Sequence, residues 1–276
     1  MSGLDMVSLF EGQAETLFET ITYSGLQLCV QYIDEYPGAS QSGYHLWPGA
    51  RSLCAYLCTH WATLCTEFRV GTSAPTTTTT GSTPTTPTPT TTTTTTAKPL
   101  RVAELGSGMG LAGICVAALG AQNNSVEFVL ATDADAIILE RVLESAHRTA
   151  TVLETPLTPL KTKTMRWGED LESLVADGYA HTFDLVVGSD LIYSDGLIEP
   201  LLRTAMQLLK KDDPNARFLL CYSFLGYTEE ALQVSNALNL DMEVLCDDLK
   251  PGDQDGFCSG HRVECYRRKK SVHLEV

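Results

Sequence analysis

The sequence predicts an α/β fold, with a doubly wound and mostly parallel sheet that carries helices on both faces. From residue 100 onwards, short apolar stretches rich in β-branched residues alternate with stretches whose apolar residues recur every three or four positions. The first apolar stretch runs directly into a glycine-rich turn, Gly106 to Gly110. Alternation of this kind favours parallel strands joined by helical crossovers.

Each element is placed by its own pattern. The predicted strands are the apolar or alternating stretches that end at turn residues, at 100–105, 126–132, 163–167, 183–189, 217–223, 242–246 and 262–267. The predicted helices are the stretches of helical periodicity between them, running up to residue 119, at 134–150, near 171, at 197–209 and at 228–238.

An N-terminal extension precedes this region. Its apolar residues at helical spacing predict an amphipathic helix, and they are Leu53, Leu57, Trp61, Leu64 and Phe68. Residues 20–33 alternate in part around Tyr23-Ser24-Gly25, which favours a hairpin or short strands.

A Thr- and Pro-rich stretch at residues 72–99 predicts a disordered insertion, because it lacks the apolar surface that offsets the entropy of ordering a chain. Long surface insertions cost little, since loop-closure entropy grows only logarithmically. The predicted organisation is an extension at 1–71 that packs on one main domain at 100–270, with this insertion between them and a tail at 271–276.

Composition narrows the class of partner. The 276 residues are 43% hydrophobic and carry a formal net charge of -15, so the field of the protein repels phosphate backbones and attracts basic partners. No run of about 18 apolar residues occurs, and the first residues do not resemble a signal peptide. We expect a soluble protein that binds neither nucleic acid nor a membrane, with a monomer favoured.

The nine cysteines predict reduced, mostly buried thiols, because they lie in apolar stretches of a chain without an export signal. One group, Cys54, Cys58, His60 and Cys65, lacks the paired Cys-x-x-Cys spacing of a tetrahedral zinc site, so no metal is expected. Reduced thiols suit the cytoplasm and the nucleus alike, and we expect the cytoplasm, with the nucleus as a second compartment.

Residues that follow the strands carry the candidate site, because ligands of doubly wound sheets bind beyond the carboxyl ends of the strands. The first strand ends in Glu104, followed by the turn Gly106-Ser107-Gly108-Met109-Gly110, where backbone amides can approach a ligand closely. The same glycines, together with Gly113 and Asp133, also satisfy a dinucleotide-binding pattern. Glu104 favours a methyl donor, because its carboxylate would repel a pyrophosphate and attract the ammonium of a methionine moiety.

Asp133 and Trp167, which follow later strands, could bind the nucleoside part of a ligand. Asp133 can accept hydrogen bonds from the hydroxyls of a ribose, although it could instead cap a helix that begins at Ala134. Trp167 can pack against an adenine face, although a lone tryptophan is more often a core residue.

Asp190 is the candidate for handling the acceptor, because the fourth strand ends in Ser189-Asp190-Leu191-Ile192-Tyr193. A lysine must lose its proton before it can accept a methyl group, which costs about 4 to 5 kcal/mol at pH 7. Asp190 could orient the amine and assist that loss, while Tyr193 excludes water. The alternative is that Ser194 or Asp195 caps the next helix and Asp190 is only loop.

These residues resemble family 16 of the class I, seven-stranded methyltransferases, which includes many lysine-specific protein methyltransferases. The motifs that carry the resemblance are Leu46-Trp47-Pro48-Gly49-Ala50, Leu53, Tyr56-Leu57, Glu104 to Gly113, Thr132-Asp133, Trp167-Gly168 and residues 184–193. The resemblance implies a Rossmann-like sheet whose final strand is antiparallel, preceded by a hairpin and a helix.

The resemblance also implies S-adenosylmethionine as the cofactor. Its implied contacts are Trp47, Glu104, Gly106, Ser107, Gly108, Gly110, Asp133, Ala134, Trp167 and Ser189. Asp190 and Tyr193 match the family's D-x-x-Y element on the acceptor side. Residues 144–147 depart from the family pattern without affecting the expected cofactor binding, whereas the departure at residues 222–227 leaves the acceptor open.

The favoured function is therefore methyl transfer from S-adenosylmethionine to lysine side chains of a protein substrate. The alternative acceptors are another protein side chain, such as histidine, or a small molecule. Two alternatives of other classes are an NAD-dependent oxidoreductase and a non-catalytic binding module of the same fold. Methylation of adenine is disfavoured, because Leu191-Ile192 replaces the two prolines typical of such enzymes.

Overall fold

The computed structural model describes residues 16–33, 42–70, 98–194, 196–222, 228–247 and 261–269. Outside these ranges lie residues 1–15 of the predicted extension, the Thr- and Pro-rich insertion as far as residue 97, Asp195, residues 223–227, and residues 270–276, which include the predicted tail.

The elements alternate as the sequence predicts. Strands β1 (Thr16–Tyr23) and β2 (Leu26–Ile33) form a hairpin, and a 3-10 turn at Ser42–Tyr44 leads into helix α1 (Pro48–Val70). Strands β3 to β9 are Leu100–Leu105, Val126–Asp133, Leu160–Thr164, Leu185–Ser189, Arg217–Tyr222, Leu240–Asp247 and Arg262–Arg268. Helices α2 to α6 are Leu111–Asn123, Ala136–Val152, Leu171–Ala176, Ile198–Leu208 and Thr228–Ala237.

Strands β3 to β9 form one seven-stranded sheet in the order β5-β4-β3-β6-β7-β9-β8. Strands β3 to β7 pair in parallel, whereas β9 runs antiparallel to both β7 and β8. The predicted fold class is therefore confirmed, including the antiparallel last strand. The strand order reverses between β3 and β6, and the carboxyl ends of such neighbours border the crevice in which ligands of this architecture bind.

Helix α1 buries the apolar side that its sequence predicts. Each of the five residues at helical spacing, Leu53, Leu57, Trp61, Leu64 and Phe68, is at most 5% exposed. They pack with α2 and the sheet in one core cluster, and burial of a large apolar side chain contributes roughly 1.5 to 3 kcal/mol. The buried indole also donates from Nε1 to Ser125 Oγ at 3.1 Å. The extension is thus part of the main core.

Several predicted boundaries are wrong by one to four residues, and two of these differences have a clear physical cause. The third strand of the sheet ends at Thr164, three residues before the predicted end, because β5 is an edge strand of alternating Lys and Thr whose pattern is only weakly apolar. Helix α3 begins at Ala136, two residues late, because Asp135 caps it by accepting a hydrogen bond from Ile137 N at 2.8 Å.

The described cysteines form no disulfide with one another. Six of these cysteines are buried and two are half-buried, in agreement with the sequence prediction. Cys58 Sγ lies 3.7 Å from Cys115 Sγ, and the described residues contain no group of three or more His, Cys, Asp or Glu that could hold a metal ion. Nor does any described helix combine the length and apolar character needed to cross a bilayer.

Side chains of α3 complete the hydrogen bonding of strand β2. Thr149 Oγ1 accepts from Cys29 N at 2.9 Å and donates to Cys29 O at 3.0 Å. Ser145 Oγ, one helical turn earlier, accepts from Gln31 N at 2.9 Å. Both hydroxyl residues are fully buried, so the helix satisfies backbone groups that would otherwise be orphaned at the edge of the hairpin.

Replacement of Thr149 with Val is expected to lower the free energy of unfolding by about 2 to 5 kcal/mol, because it leaves the buried amide and carbonyl of Cys29 without partners. Thr151→Val is the matched control, since Thr151 is exposed on the same helix and should change stability by only about 0.5 kcal/mol. Urea unfolding measures both, and equal stabilities for the two variants would contradict this role for Thr149.

Candidate functional site

The turn after β3 depends on left-handed backbone that only glycine adopts without strain. The φ angles are +55° at Gly106, +48° at Gly108 and +78° at Gly110. Ser107 N donates to Thr132 O at 2.8 Å and Gly110 N to Ser107 O at 2.7 Å. The turn is thereby tied to the end of β4, and helix α2 starts directly after Gly110.

Glu104 is a buried carboxylate at the end of β3. It is 2% exposed, and burial raises its pKa to about 7, although the Ser107 hydroxyl and backbone amides at the start of α2 offset the shift in part. A Cβ on Gly113 would lie 2.5 Å from Glu104 Oε2, so the last glycine of the pattern makes room for this carboxylate. Within the described residues, neither Glu104 Oε2 nor the buried Ser107 Oγ makes a hydrogen bond of good geometry, although the Ser107 hydroxyl lies close enough to stabilise the charged carboxylate. An oxygen pair of this kind suits a ligand that brings donors, such as an ammonium group.

Asp133 ends β4 beside the glycine turn. Its Oδ2 accepts from Gly108 N at 3.0 Å and its Oδ1 from Asp135 N at 3.1 Å. The alternative role of Asp133 as a helix cap is wrong, because Asp135 caps α3. Each carboxylate oxygen has a further lone pair with which to accept from a ligand hydroxyl. The adjacent Ala134 is exposed.

Trp167 lies on the other side of the glycine turn. A Cβ on Gly106 would lie 2.9 Å from Trp167 Cζ2, so the indole touches the turn where glycine is required. Gly168 N donates to Thr204 Oγ1 at 2.9 Å, which fixes the loop that carries the indole. The ring is half-buried and packs against the core under the sheet.

The loop after β6 brings Asp190 to the start of α1. Ser189 is the last residue of β6, and Asp190 follows with a left-handed φ of +51°. Asp190 Oδ2 accepts from Gly49 N at 2.6 Å. Trp47, two residues before that glycine, is 47% exposed, and Tyr193 is 65% exposed.

The capping alternative for this loop does not hold for Ser194. Helix α5 has Leu197 at its N-cap position and no side-chain capping bond, while Asp195 lies outside the described residues. Asp190 is instead fixed at both its amide and its carboxylate, since its N donates to Cys221 O at 2.9 Å.

Sequence reasoning missed Leu191, which links the two halves of the site. Its Cδ2 lies 2.6 Å from a Cβ built on Gly106, and its Cδ1 lies 2.6 Å from one built on Gly188. Leu191 is 4% exposed, so it acts as a wedge between the glycine turn and the Asp190 loop. Gly188 was the available signal, because a glycine inside a strand often marks a close approach.

The segment before α1 was also missed as a cover of the glycine turn. Gly43 O lies 3.1 Å from a Cβ built on Gly108. Tyr44 packs with Met109 and Ile138 in a small buried cluster of its own. These contacts hold the segment before α1 against the glycine turn.

An open groove of about 1180 Å³ lies elsewhere, between α1 and the last two strands. Among the residues that line it are Tyr56, Glu67, Arg217 and Arg267. It contains none of the candidate site residues.

Comparison with known proteins identifies the family. A family model described as lysine methyltransferase matches residues 30–230, a range that contains every candidate site residue. Protein N-lysine methyltransferase METTL21A of Danio rerio is 32% identical over 121 residues, which are 42% of this chain and 47% of that protein. The chain therefore spans about half the length of this curated relative.

A solved structure supports the fold. The crystal structure of SMU.776 complexed with SAH matches with a TM-score of 0.53 at 11% identity, covering 93% of this chain and 57% of that one. Together with the seven-stranded topology and the extent of the family match, these findings show that the chain belongs to the lysine methyltransferase family.

Proposed function

We propose that this protein transfers the methyl group of S-adenosylmethionine to lysine side chains of a protein substrate. The observation that carries the proposal is the buried Glu104 carboxylate, whose Oε2 makes no hydrogen bond of good geometry within the described residues, beside a glycine turn that Leu191 joins to the Asp190 loop. Family membership and the N-lysine methyltransferase relative support the same conclusion.

The donor is proposed to bind across the glycine turn. S-adenosylmethionine supplies a methyl group on a positively charged sulfur, which makes that carbon open to attack. Glu104 attracts the ammonium of the methionine moiety, and Asp133 accepts hydrogen bonds from the ribose. Trp167 packs against the adenine. Trp47, in the segment before α1 that covers the glycine turn, closes the site.

The acceptor is proposed to meet the methyl group beside Asp190. The lysine nitrogen needs a free lone pair, and loss of its proton costs about 4 to 5 kcal/mol at pH 7. The carboxylate of Asp190 orients the amine and lowers this cost by attracting the proton as it leaves. With the donor bound, the amine nitrogen would bond to the methyl carbon as the carbon–sulfur bond broke, and its electron pair would stay on sulfur.

The proposal is tested with purified protein, radiolabelled S-adenosylmethionine and a cell extract. We expect labelled polypeptides whose label lies on lysine after digestion and mass spectrometry. Label on histidine, or only on small molecules or nucleic acid, would exclude the lysine assignment. Calorimetric titration with S-adenosylhomocysteine and with NADH separates the cofactor classes, and binding of NADH alone would overturn the methyl donor.

Asp133→Ala is expected to weaken binding of S-adenosylhomocysteine roughly 10- to 100-fold, because it removes a charged hydrogen-bond acceptor. Asp135→Ala is the matched control, since this cap two residues later should cost about 1 kcal/mol of stability and little affinity. Calorimetry and thermal unfolding of both variants provide the comparison. Equal losses of affinity would mean that Asp133 acts only through local structure.

A further inference from the structure

The start of helix α1 is stabilised by a side chain from a distant loop. The first amides of a helix have no intrahelical partner and form its positive end, and α1 has no acidic residue in its first turn. Asp190, 141 residues away in sequence, takes that place by accepting the hydrogen bond from Gly49 N. The carboxylate is thereby docked on the helix.

Only glycine leaves room for this contact. A Cβ at position 49 would lie 2.5 Å from Asp190 Oδ2 and 2.6 Å from Oδ1 and Cγ, closer than real Cβ contacts. The φ of Gly49 is not in the left-handed region, so its backbone would accept an L-residue. A side chain at this position would therefore force the Asp190 carboxylate to move.

The rest of the Asp190 loop is fixed independently of α1. The Asp190 amide donates to Cys221 O, and Leu191 is wedged between Gly106 and Gly188. With the main chain held in this way, the contact with Gly49 contributes to the direction of the carboxylate. Trp47 lies two residues earlier on the same chain segment, so one helix start borders both the donor side and the acceptor side.

We propose that Gly49 is a positioning residue for methyl transfer: its amide and its missing Cβ aim the Asp190 carboxylate at the acceptor nitrogen. This inference rests on the proposed function. Turnover should be separable from donor binding, because the three heavy atoms nearest to a Cβ at position 49 all belong to the Asp190 carboxylate.

Gly49→Ala tests the positioning role. We expect transfer of label to extract polypeptides to fall roughly 10- to 100-fold, as for loss of one charge-assisted hydrogen bond, while affinity for S-adenosylhomocysteine changes less than about threefold. Ser52→Ala, in the same part of α1, should retain wild-type turnover. Unchanged turnover in Gly49→Ala, or a parallel loss of donor affinity, would overturn the inference.

A second measurement tests the contact without any activity. In the wild-type background, Gly49→Ala should lower the melting temperature because of the clash. In an Asp190→Ala background it should raise the melting temperature, since the clash is gone and Ala is the better helix former. Equal shifts in both backgrounds would overturn the inference. This measurement needs no methyl transfer, so its failure is distinct from a failure of the proposed function. The latter would be a protein that binds S-adenosylhomocysteine and methylates no polypeptide.

Discussion

Asp190→Asn is expected to lower turnover by roughly 100- to 10,000-fold, the usual contribution of a positioned general acid or base, with donor affinity nearly unchanged. Asn has the same shape, and its amide oxygen can still accept from Gly49 N, so the bond seen at 2.6 Å can persist. The substitution removes only the negative charge that attracts the proton of the amine. Single-turnover transfer of label to extract polypeptides measures the loss.

Asp177→Asn is the control, because Asp177 is a half-exposed carboxylate paired with Lys163 on the surface. Its turnover should match the wild type. If Asp190→Asn kept its activity while Asp190→Ala lost it, hydrogen bonding to α1 would be the whole role of this side chain, and its part in proton removal would be wrong.

Binding of S-adenosylhomocysteine is expected to strengthen as the pH rises towards about 7 and then to level off. Burial raises the pKa of Glu104 from 4.5 to about 7, so in the free protein the group is neutral below that pH. An ammonium ligand requires the carboxylate, and binding therefore releases a proton. Because binding requires Glu104 to lose its proton, the affinity for S-adenosylhomocysteine falls by up to about tenfold for each pH unit below the pKa of Glu104.

The raised pKa of Glu104 also makes the stability of the folded protein depend on pH. The folded free protein holds this proton more tightly than the unfolded chain does, so Glu104 contributes stability that is fully present below about pH 4.5 and is lost as the pH rises through about 7. The bound ammonium opposes that loss. Unfolding free energies with and without S-adenosylhomocysteine should diverge across this range.

Glu104→Gln should weaken binding roughly 10- to 100-fold at pH 8, because a neutral amide replaces the charged partner of the ammonium, and should abolish proton release. Calorimetry in two buffers of different ionisation enthalpy measures both quantities. Glu127→Gln is the control, since Glu127 is exposed on the neighbouring strand. Proton release that persists in Glu104→Gln would assign the titration to another group.

Local patterns in the sequence determined most of the architecture. The five apolar residues of α1 face the core as their spacing predicts, because amphipathic periodicity depends only on helix geometry. The glycine turn could also be predicted from the local sequence, because positive φ angles favour glycine whatever surrounds it. Glu104, Asp133 and Asp190 were predicted as site residues because the carboxyl ends of parallel strands converge on one edge of the sheet.

Only the tertiary structure decided how these parts meet. The weakly apolar β5 ends three residues before its predicted end, because its place at the edge of the sheet decides its pairing. The contacts of Gly49 with Asp190 and of Cys29 with Thr149 join residues that are 141 and 120 positions apart. The periodicity of the sequence does not encode such pairs, because they depend on the packing of several elements together. The burial that raises the pKa of Glu104 also depends on that packing.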